Sequence, residues 1–326
     1  MKALVCEAYG PIDNLVVKDI PSPVPGPKQV LIEVKAAAVN FPDALMVQGL
    51  YQVKPPLPFT PGAEIAGIVK AVGAEVRHHK VGDRVIALCS TGGFAEECLA
   101  DMGRVMPLSA GMDFDTGAAL VLTYCTSLHA LKDCGHLKAG ETLVVLGAAG
   151  GVGISAIEIG KAMGARVIAA ASSDDKLELC RKVGADETVN YSTENLKDRI
   201  NELTGGKGAD VVYDPVGGPY TEPAVRALAW RGRLLIIGFA AGEIPKIPLN
   251  LALLKERSLV GVYWGDSTRH DPAGHLANLH QLHEWFAAGT IRPVVSERFP
   301  LAAAGDAIAR IANRQVKGKI VVTPNN

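Results

Sequence analysis

The sequence is poor in several features that identify particular classes of protein. Only 5% of its 326 residues are aromatic, and 33 lysines and arginines nearly balance 34 aspartates and glutamates, for a formal net charge of −1. A chain without an excess of basic residues gives no indication of binding to nucleic acid. The content of 48% hydrophobic and 21% charged residues excludes a disordered or collagen-like chain. The composition therefore predicts an ordinary soluble globular protein.

Long apolar runs are also lacking. A transmembrane helix needs about 20 mostly apolar residues, and the uncharged stretch 142–157 is interrupted by four glycines. The N-terminus has too short an apolar run for a signal peptide. Six cysteines lie far apart, without a Cys-x-x-Cys pair, which is typical of reduced thiols in a cytoplasmic protein. We therefore expect a cytoplasmic protein that is not associated with a membrane.

Two domains are expected, because a domain usually has about 100–200 residues. Up to residue 122 the chain is rich in strand-like runs separated by proline and glycine turns. From Thr123 onward, short apolar runs alternate with helix-length segments, which predicts a doubly wound parallel sheet. The predicted strands are 3–7, 29–37, 64–72 and 84–89, then 142–146, 166–171, 187–190, 210–214 and 233–237. The helices predicted between the strands of the second group are 153–163, 174–183, 194–203 and 219–230.

The last third of the sequence suggests both a domain boundary and a mode of assembly. We expect a strand at 258–264, an amphipathic helix at 274–288, and a tail of strand 294–298, helix 303–314 and strand 319–322. If the tail returns to the first domain, the domains comprise 1–122 with 290–326, and 123–289. The strand 258–264 is apolar on both faces and is predicted at a sheet edge. Such an edge is normally covered, and pairing with a twofold mate would produce a homodimer.

A glycine-rich turn after the strand 142–146 is the most informative motif. Ala148, Gly150 and Gly153 occupy the three glycine positions of a GxGxxG pattern, with Gly151 and Val152 between the last two. Small residues in a strand–turn–helix context let the backbone approach the pyrophosphate of a dinucleotide at a helix N-terminus. The alternative is a purely structural glycine turn. The context favours a dinucleotide site.

The end of the next strand predicts which dinucleotide binds. An NAD site usually has Asp or Glu about 20 residues after the turn, to bind the ribose 2′-hydroxyl. Here that position falls on Ala171 or Ser172. The hydroxyls of Ser172 and Ser173 and the charge of Lys176 suit a 2′-phosphate instead. These residues therefore favour NADPH.

Two alternatives remain open at this position. Ser172 or Ser173 could simply cap the following helix while Lys176 is solvated. The acidic residues Asp174 and Asp175 keep NAD as a minority option.

Together, the motifs resemble the zinc-independent quinone oxidoreductases, the zeta-crystallin-like branch of the medium-chain dehydrogenase/reductase superfamily. The resemblance extends over essentially the whole chain, and the order and spacing of its motifs are highly specific. The motifs are VNFPD at 39–43, GLY at 49–51, PGAEIAG at 61–67, VGDRV at 81–85, the glycine turn, YDPVGG at 213–218 and GKIV at 318–321. This family implies a GroES-like β-rich catalytic domain, together with a Rossmann domain inserted near its C-terminus.

The resemblance also bears on zinc. Zinc-dependent relatives have a cysteine where this chain has Asn40, and a histidine where it has Ala63. Catalytic zinc usually has three protein ligands, so we expect no metal. Without a Lewis acid to stabilise an alkoxide, hydride delivery to a conjugated acceptor is favoured over alcohol oxidation.

The family resemblance implies further site residues in the first domain and its neighbourhood. Asn40, Tyr51 and Thr126 are expected around the nicotinamide and the acceptor. Asn40 and Thr126 are expected to orient the carboxamide or a ribose. The Tyr51 hydroxyl could hydrogen-bond a developing oxyanion or supply a proton, or the ring could only pack.

Other residues are expected near the cofactor on the same grounds. Tyr191 is expected beside the adenosine 2′-phosphate. Gly238, Phe239 and Lys319 are expected on loops that close over the cofactor, although Phe239 could equally pack at the domain interface.

These observations predict an NADPH-dependent quinone oxidoreductase that is a homodimer and acts without metal or flavin. The same residues fit an NADPH-dependent reductase of enones, 2-alkenals or acryloyl thioesters. A third hypothesis is an NADPH-binding protein with little turnover. Retention of Asn40, Tyr51 and the complete glycine turn weighs against the third.

Overall fold

The computed structural model describes residues 1–324 and divides the chain into two compact units. The first comprises Met1–Leu122 with the chain from Pro293 onward, and the second Thr123–Arg292. The second boundary was expected at 289/290 and lies at 292/293. The difference has a physical reason, because the N–H of Arg292 donates to the carboxylate of Glu158 in the second unit at 3.0 Å. The assignment of a role to each unit stays a prediction.

The first unit is built mainly on antiparallel strands. Seven strands form one sheet in the order β14-β15-β3-β4-β5-β7, with β6 also paired to β3, while β1 and β2 form a separate pair. All these pairs are antiparallel except β14 with β15. The strands are β1 Lys2–Val5, β2 Val16–Asp19, β3 Gln29–Ala38, β4 Glu64–Val72, β5 Arg84–Leu88, β6 Glu97–Asp101, β7 Val105–Pro107, β14 Val295–Pro300 and β15 Lys319–Thr323.

The C-terminal strand joins the tail to the sheet of the first unit. Val321 in β15 pairs with Ala38 in β3. Two helices, α1 (Phe41–Val47) and α10 (Ala304–Ala312), pack together. Their apolar residues join a core with the buried side chains of β3 and β4. The helix α2 (Phe114–Leu128) contains the first unit boundary.

The second unit contains a fully parallel six-stranded sheet in the order β10-β9-β8-β11-β12-β13. Numbered within the unit, this is the order 3-2-1-4-5-6 of a Rossmann fold. All five residues of β8 are buried, as expected when helices cover both faces of a parallel sheet. The strands are β8 Thr142–Leu146, β9 Arg166–Ala171, β10 Glu187–Asn190, β11 Ala209–Asp214, β12 Leu228–Ile236 and β13 Ser258–Gly261.

The helices of the second unit follow the predicted alternation. A π-helical segment, His129–Cys134, continues directly from α2. The remaining helices are α3 Gly151–Ala162, α4 Asp174–Lys182, α5 Leu196–Leu203, α6 Thr221–Arg226, α7 Asn250–Leu253, α8 Trp264–His270 and α9 Pro272–Ala287. Within residues 1–324, no helix is long and apolar enough to cross a membrane.

Several predicted boundaries in the second unit are wrong. The strand predicted at 233–237 begins at Leu228 and ends at Ile236. The helix predicted at 219–230 ends at Arg226, because Leu228 already pairs with Ala209 as the first residue of β12. The helix predicted from Gly153 begins at Gly151. The strand predicted at 258–264 ends at Gly261, since the chain turns into α8 at Trp264.

Candidate functional site

The glycine turn joins β8 to α3 at the carboxyl edge of the parallel sheet. Gly147 has φ of 56°, which favours glycine, and the N–H of Ala148 donates to Ala170 of β9 at 3.1 Å. Gly150 is the N-cap, and the first intrahelical bond runs from Ile154 N–H to Gly150 O. The N–H groups in the first turn of an α-helix have no intrahelical acceptor. They are therefore available to an anionic group placed at the helix N-terminus.

Gly150 and Gly153 are glycines for different reasons. A Cβ at residue 153 would lie 2.5 Å from Gly147 O and 2.6 Å from Ala148, so the fold itself requires glycine there. A Cβ at residue 150 would lie 3.4 Å from Gly147 O, which is ordinary van der Waals contact. The fold therefore does not require glycine at 150. Close approach of a ligand to the backbone does explain it.

A buried hydroxyl network that the sequence analysis missed supports the first turn of α3. The Ser127 hydroxyl lies 2.8 Å from Ser155 Oγ and 2.9 Å from the Tyr213 hydroxyl, and it donates to Val152 O at 3.1 Å. All three hydroxyl-bearing residues are fully buried. The network joins α2, α3 and β11 beside the glycine turn. In the sequence, the available indication of this network was the YDPVGG motif, which begins with Tyr213.

The residues predicted to recognise a 2′-phosphate come together at the carboxyl ends of β9 and β10. Lys176 Nζ donates to Ser172 Oγ at 3.4 Å. The Tyr191 N–H donates to Ala171 O at 3.1 Å. The hydroxyl of Ser192 donates to Ser172 O at 2.9 Å. The Ser172 hydroxyl, the Lys176 ammonium and the backbone of Tyr191 therefore share one short stretch of the sheet edge.

The neighbouring acidic side chains have partners within the same unit. Asp174 accepts from the amide of Asn190 at 2.9 Å, and Asp175 accepts a short hydrogen bond from the Ser173 hydroxyl. Ser173 is the N-cap of α4, but its side chain makes no capping bond to the backbone. The interpretation of Ser173 as a capping side chain therefore has no support from the hydrogen bonds.

Tyr191 also borders a hollow in the second unit. Its ring lies 4.4 Å from that of Tyr220, centroid to centroid, with the ring planes at 45°. The two rings help to line a cavity of about 720 Å³ between the start of α5, α6 and the loop at 243–246. Apolar rings beside a cationic site suit a flat heteroaromatic base.

The loop after β12 lies against the loop after β11. The N–H of Gly238 donates to Asp214 O at 3.4 Å, and the N–H of Ala240 donates to Pro215 O at 3.0 Å. A Cβ added to Gly217 would lie 2.9 Å from the Phe239 ring, so the two loops are closely packed. Gly238 and Phe239 are thus beside the carboxyl ends of β11 and β12.

Thr126, which was also predicted as a site residue, lies in α2 and is half-buried.

In the first unit, the structure brings Asn40 together with Lys319 and Glu64. The Asn40 amide nitrogen donates to Glu64 Oε2 at 3.2 Å, and its oxygen accepts a short hydrogen bond from Lys319 Nζ. Lys319 Nζ also donates to Val39 O at 3.2 Å and lies 3.7 Å from Glu64 Oε2. Lys319 begins β15, in agreement with the strand predicted at 319–322, and is 4% exposed, so the loop position that the family resemblance implied for it is wrong. Its proposed contact with the cofactor stays a prediction.

Asp43 completes a buried polar cluster with Asn40, Lys319 and Glu64. The sequence analysis named Asn40 and Lys319 as site residues but missed Asp43 and Glu64. Its Oδ2 accepts from the Asn40 N–H at 2.8 Å. Burial raises the pKa of Asp43 to about 7, although the backbone N–H of Asn40 and the charge of Lys319 oppose this rise. Burial also raises the pKa of Glu64, against the effect of the Lys319 ammonium. Asn40 is thus held at its amide nitrogen by Glu64, at its amide oxygen by Lys319 and at its backbone N–H by Asp43.

Tyr51 follows α1 in the same unit. It is half-buried and packs against the apolar core of that unit. Both its packing and its partial exposure agree with the two roles considered for it, a hydrogen-bond donor and a wall of the pocket.

The residues present at the zinc positions do not fit a catalytic zinc. Asn40 offers an amide, Ala63 offers no ligand, and the Lys319 ammonium occupies the space beside Asn40. A second cation there would be repelled. In the part of the chain that the structure describes, no group of three or more His, Cys, Asp or Glu is arranged to hold a metal ion.

Comparisons with known proteins agree with this geometry. Two family models match, "Alcohol dehydrogenase GroES-like domain" over residues 26–126 and "Zinc-binding dehydrogenase" over residues 151–281. The chain is similar to a Pseudomonas aeruginosa quinone oxidoreductase, with 36% identity over 324 residues and 99% of each chain covered. It is 38% identical to a Nematostella vectensis quinone oxidoreductase-like protein 2 homolog over 325 residues, covering 98% of this chain and 88% of that protein. The structure of Escherichia coli quinone oxidoreductase complexed with NADPH has a TM-score of 0.93 at 28% identity, covering 99% of this chain and 100% of that one.

The buried Asp43 carboxyl predicts a pH-dependent stability. Between its ordinary pKa of 3.8 and about 7, the folded state keeps a proton that the unfolded chain has released, so stability falls as pH rises through this window. Asp43→Asn should remove roughly 2–3 kcal/mol of the stability difference between pH 5 and pH 8, or a few degrees in Tm. Thermal unfolding at pH 5 and at pH 8 measures this difference in the native protein and in Asp43→Asn. The exposed Asp13→Asn is the control, and an unchanged difference in Asp43→Asn would contradict the account.

Proposed function

Because this chain belongs to the quinone oxidoreductase family of the medium-chain dehydrogenases and reductases, we propose that it is an NADPH-dependent quinone oxidoreductase. The observation that supports this most is the meeting of Ser172, Lys176 and Tyr191 beside the glycine turn of a Rossmann sheet. That edge combines an anion site at a helix N-terminus with groups that suit a second phosphate. A relative over nearly the full length is a quinone oxidoreductase.

The residues of the second unit would hold NADPH, which supplies a hydride from its nicotinamide when bound. We assign the pyrophosphate to the first-turn N–H groups of Gly151, Val152 and Gly153, with Ala148 and Gly150 providing a turn without obstructing side chains. The Ser127 hydroxyl, through Val152 O, fixes the position of that turn. Binding at fixed positions is the main contribution of a protein to hydride transfer.

The 2′-phosphate is assigned to Ser172, Ser173, Lys176 and Tyr191. Lys176 already donates to Ser172, so a phosphate between them would replace a weak hydroxyl contact with a charge-assisted one. Gly238 and Phe239 would border the nicotinamide half of the cofactor from the β12 loop.

In the first unit we propose positioning and hydrogen-bonding roles. Glu64 accepts from the Asn40 amide nitrogen and Lys319 donates to the amide oxygen, so Asn40 has one fixed orientation, and its oxygen keeps a second lone pair for another donor. We propose that Asn40 and Thr126 orient the nicotinamide carboxamide or a ribose. The Tyr51 hydroxyl donates to the oxygen of the quinone that gains charge as the hydride arrives. No step passes through a metal ion.

The electron acceptor is tested by oxidation of NADPH in the presence of 1,4-naphthoquinone or cyclohexenone. We expect turnover with the quinone that exceeds turnover with the enone. Turnover confined to the enone would favour an alkene reductase. Binding of NADPH without turnover of either acceptor would favour a nucleotide-binding protein.

Tyr51→Phe tests the proposed oxyanion contact. One lost oxyanion donor can cost about 2.7–4 kcal/mol, but a quinone disperses its charge, so we expect kcat to fall by roughly tenfold or less. The Kd for NADPH should be nearly unchanged. A kcat equal to that of the native protein with every acceptor would reduce Tyr51 to a wall of the pocket.

Lys176→Ala tests the choice of cofactor. A hydrogen bond to a charged group contributes about 1.5–3 kcal/mol, and the edge of the sheet is partly exposed, so NADPH should bind roughly tenfold more weakly. NADH binding should hardly change. Fluorescence titration of both nucleotides measures this, and Lys182→Ala, an exposed lysine of the same helix, is the matched control. A ratio of affinities equal to that of the native protein would show that Lys176 does not contact a phosphate.

The finer proposals concern assembly and location. The edge strand β13 has half-buried Leu259 and Val260, and the preceding segment exposes Leu253 and Leu254. An apolar edge is normally covered, which supports a homodimer. Sedimentation at micromolar concentration should give twice the mass of one chain, and a monomer would contradict the proposal.

All six cysteines are free thiols, which supports a cytoplasmic location.

A further inference from the structure

A cysteine, a histidine and an aspartate form a hydrogen-bonded series in the second unit. The Sγ of Cys134 lies 3.4 Å from His129 Nε2, and His129 Nδ1 lies 2.9 Å from Asp133 Oδ2. All three residues belong to the π-helical segment that follows α2. None of them belongs to the proposed cofactor site. A thiol beside an imidazole that a carboxylate orients is the arrangement of an activated nucleophile.

The π-helical winding makes this arrangement possible. In an α-helix with 3.6 residues per turn, residues i and i+5 lie about 140° apart around the axis. His129 could then reach Asp133 at i+4 but not Cys134 at i+5. Here the N–H of Gly135 donates to Ala130 O, an i→i+5 bond that widens the turn. Both partners of His129 therefore lie on its side of the helix.

The geometry also fixes the protonation of the imidazole. The hydrogen bonds with Cys134 and then with Asp133 raise the pKa of His129 to about 9, against the effect of its partial burial. The imidazolium persists at neutral pH, with one N–H donated to the carboxylate and the other to sulfur. An imidazolium that donates to sulfur stabilises the thiolate.

The thiol is also accessible. Cys134 is partly exposed, whereas Cys6, Cys89, Cys98, Cys125 and Cys180 are buried. A buried thiol in apolar surroundings is inert. The other five cysteines therefore provide a comparison within the same molecule.

We propose that Cys134 is a covalent modification site for soft electrophiles of the activated-alkene class, with His129 as its acid–base partner and Asp133 as the residue that orients it. The Sγ lone pair forms a C–S bond to the β-carbon, and the C=C π pair moves toward the carbonyl as an enolate. The Nε2 proton of His129 is then transferred to the α-carbon. The product is a thioether and a neutral imidazole that regains its proton from water, and no oxidant or reductant is required.

The charged and titratable groups around His129 do not compete with this assignment. On α9, Asn278 donates to Asp133 Oδ2 at 2.8 Å and accepts from Lys132 at 2.7 Å. His275, on the same helix, has a lowered pKa through burial and the charge of His129. It is therefore neutral beside the imidazolium.

The remaining ionisable groups on the packed elements are engaged elsewhere. On α3, Glu158 accepts from a tyrosine hydroxyl, and Lys161 pairs with an aspartate before β10. On β12, Arg233 pairs with Glu141 at 2.8 Å. Burial raises the pKa of Glu158 to about 7, so a change in the labelling rate above pH 8 should follow His129, whose pKa is about 9.

The test is the rate at which N-ethylmaleimide alkylates Cys134 in the native full-length protein, followed by peptide mass spectrometry from pH 6.5 to 9.5. A free thiol with a pKa of about 8.5 is only about 1% ionised at pH 6.5. A paired thiolate gains up to about 100-fold in reactive form and loses about tenfold in intrinsic nucleophilicity. We therefore expect His129→Gln to slow alkylation roughly tenfold at pH 6.5. The two rates should converge near pH 9.5, because most of the His129 imidazolium, with a pKa of about 9, has lost its proton there.

Further variants keep the result interpretable. The exposed His280→Gln is the matched control and should react as the native protein does. If His129→Gln does not fold, Asp133→Asn replaces it and should also slow the reaction at pH 6.5. Equal rates in the variant and the native protein at pH 6.5, a ratio that stays constant with pH, or faster labelling of a buried cysteine would overturn the proposal. The readout is the mass of the labelled peptides, so it does not depend on turnover of NADPH.

Discussion

The contact between the first turn of α3 and the glycine turn determines most of what the second unit can do. The absence of a side chain at Gly153 lets the helix approach Gly147 and Ala148 so closely that a Cβ would have only 2.5 Å of room. That approach directs the N-terminal N–H groups of α3 to the carboxyl edge of the sheet. The Ser127 hydroxyl, which also contacts the Tyr213 hydroxyl, donates to Val152 O in the same turn. The packing alone therefore makes these N–H groups available to an anionic group at the helix N-terminus.

The parallel order of the sheet gathers the remaining groups at that edge. β8, β9, β11 and β12 all end there, so the loops that follow them bring together residues far apart in sequence.

In the first unit, polar side chains are buried together around one residue. Lys319, Glu64 and Asp43 share one polar cluster around Asn40, and their hydrogen bonds fix the position of this residue.

Local patterns in the sequence predicted the elements and contacts that depend on nearby residues. The strands 142–146, 166–171 and 187–190 are found with those bounds, because short buried apolar runs between helices admit few other structures. The partners of Asn40 could not be predicted, since Lys319 is 279 residues away. The contact between His129 and Cys134 could not be predicted either. It depends on the π-helical segment, because an α-helix would separate the two residues. The end of α6 at Arg226 depends on the pairing of Leu228 with Ala209, which is a tertiary contact.

The central claim is that the edge of the parallel sheet is built for a dinucleotide and not only for the fold. Gly150→Ala tests it most directly, because a Cβ there meets protein atoms at an ordinary distance of 3.4 Å but would stand where a pyrophosphate approaches. Titration of the variant with NADPH should show affinity reduced by roughly tenfold or more, with Tm almost unchanged. An unchanged Kd for NADPH would show that the glycine serves the fold alone, and would contradict the account.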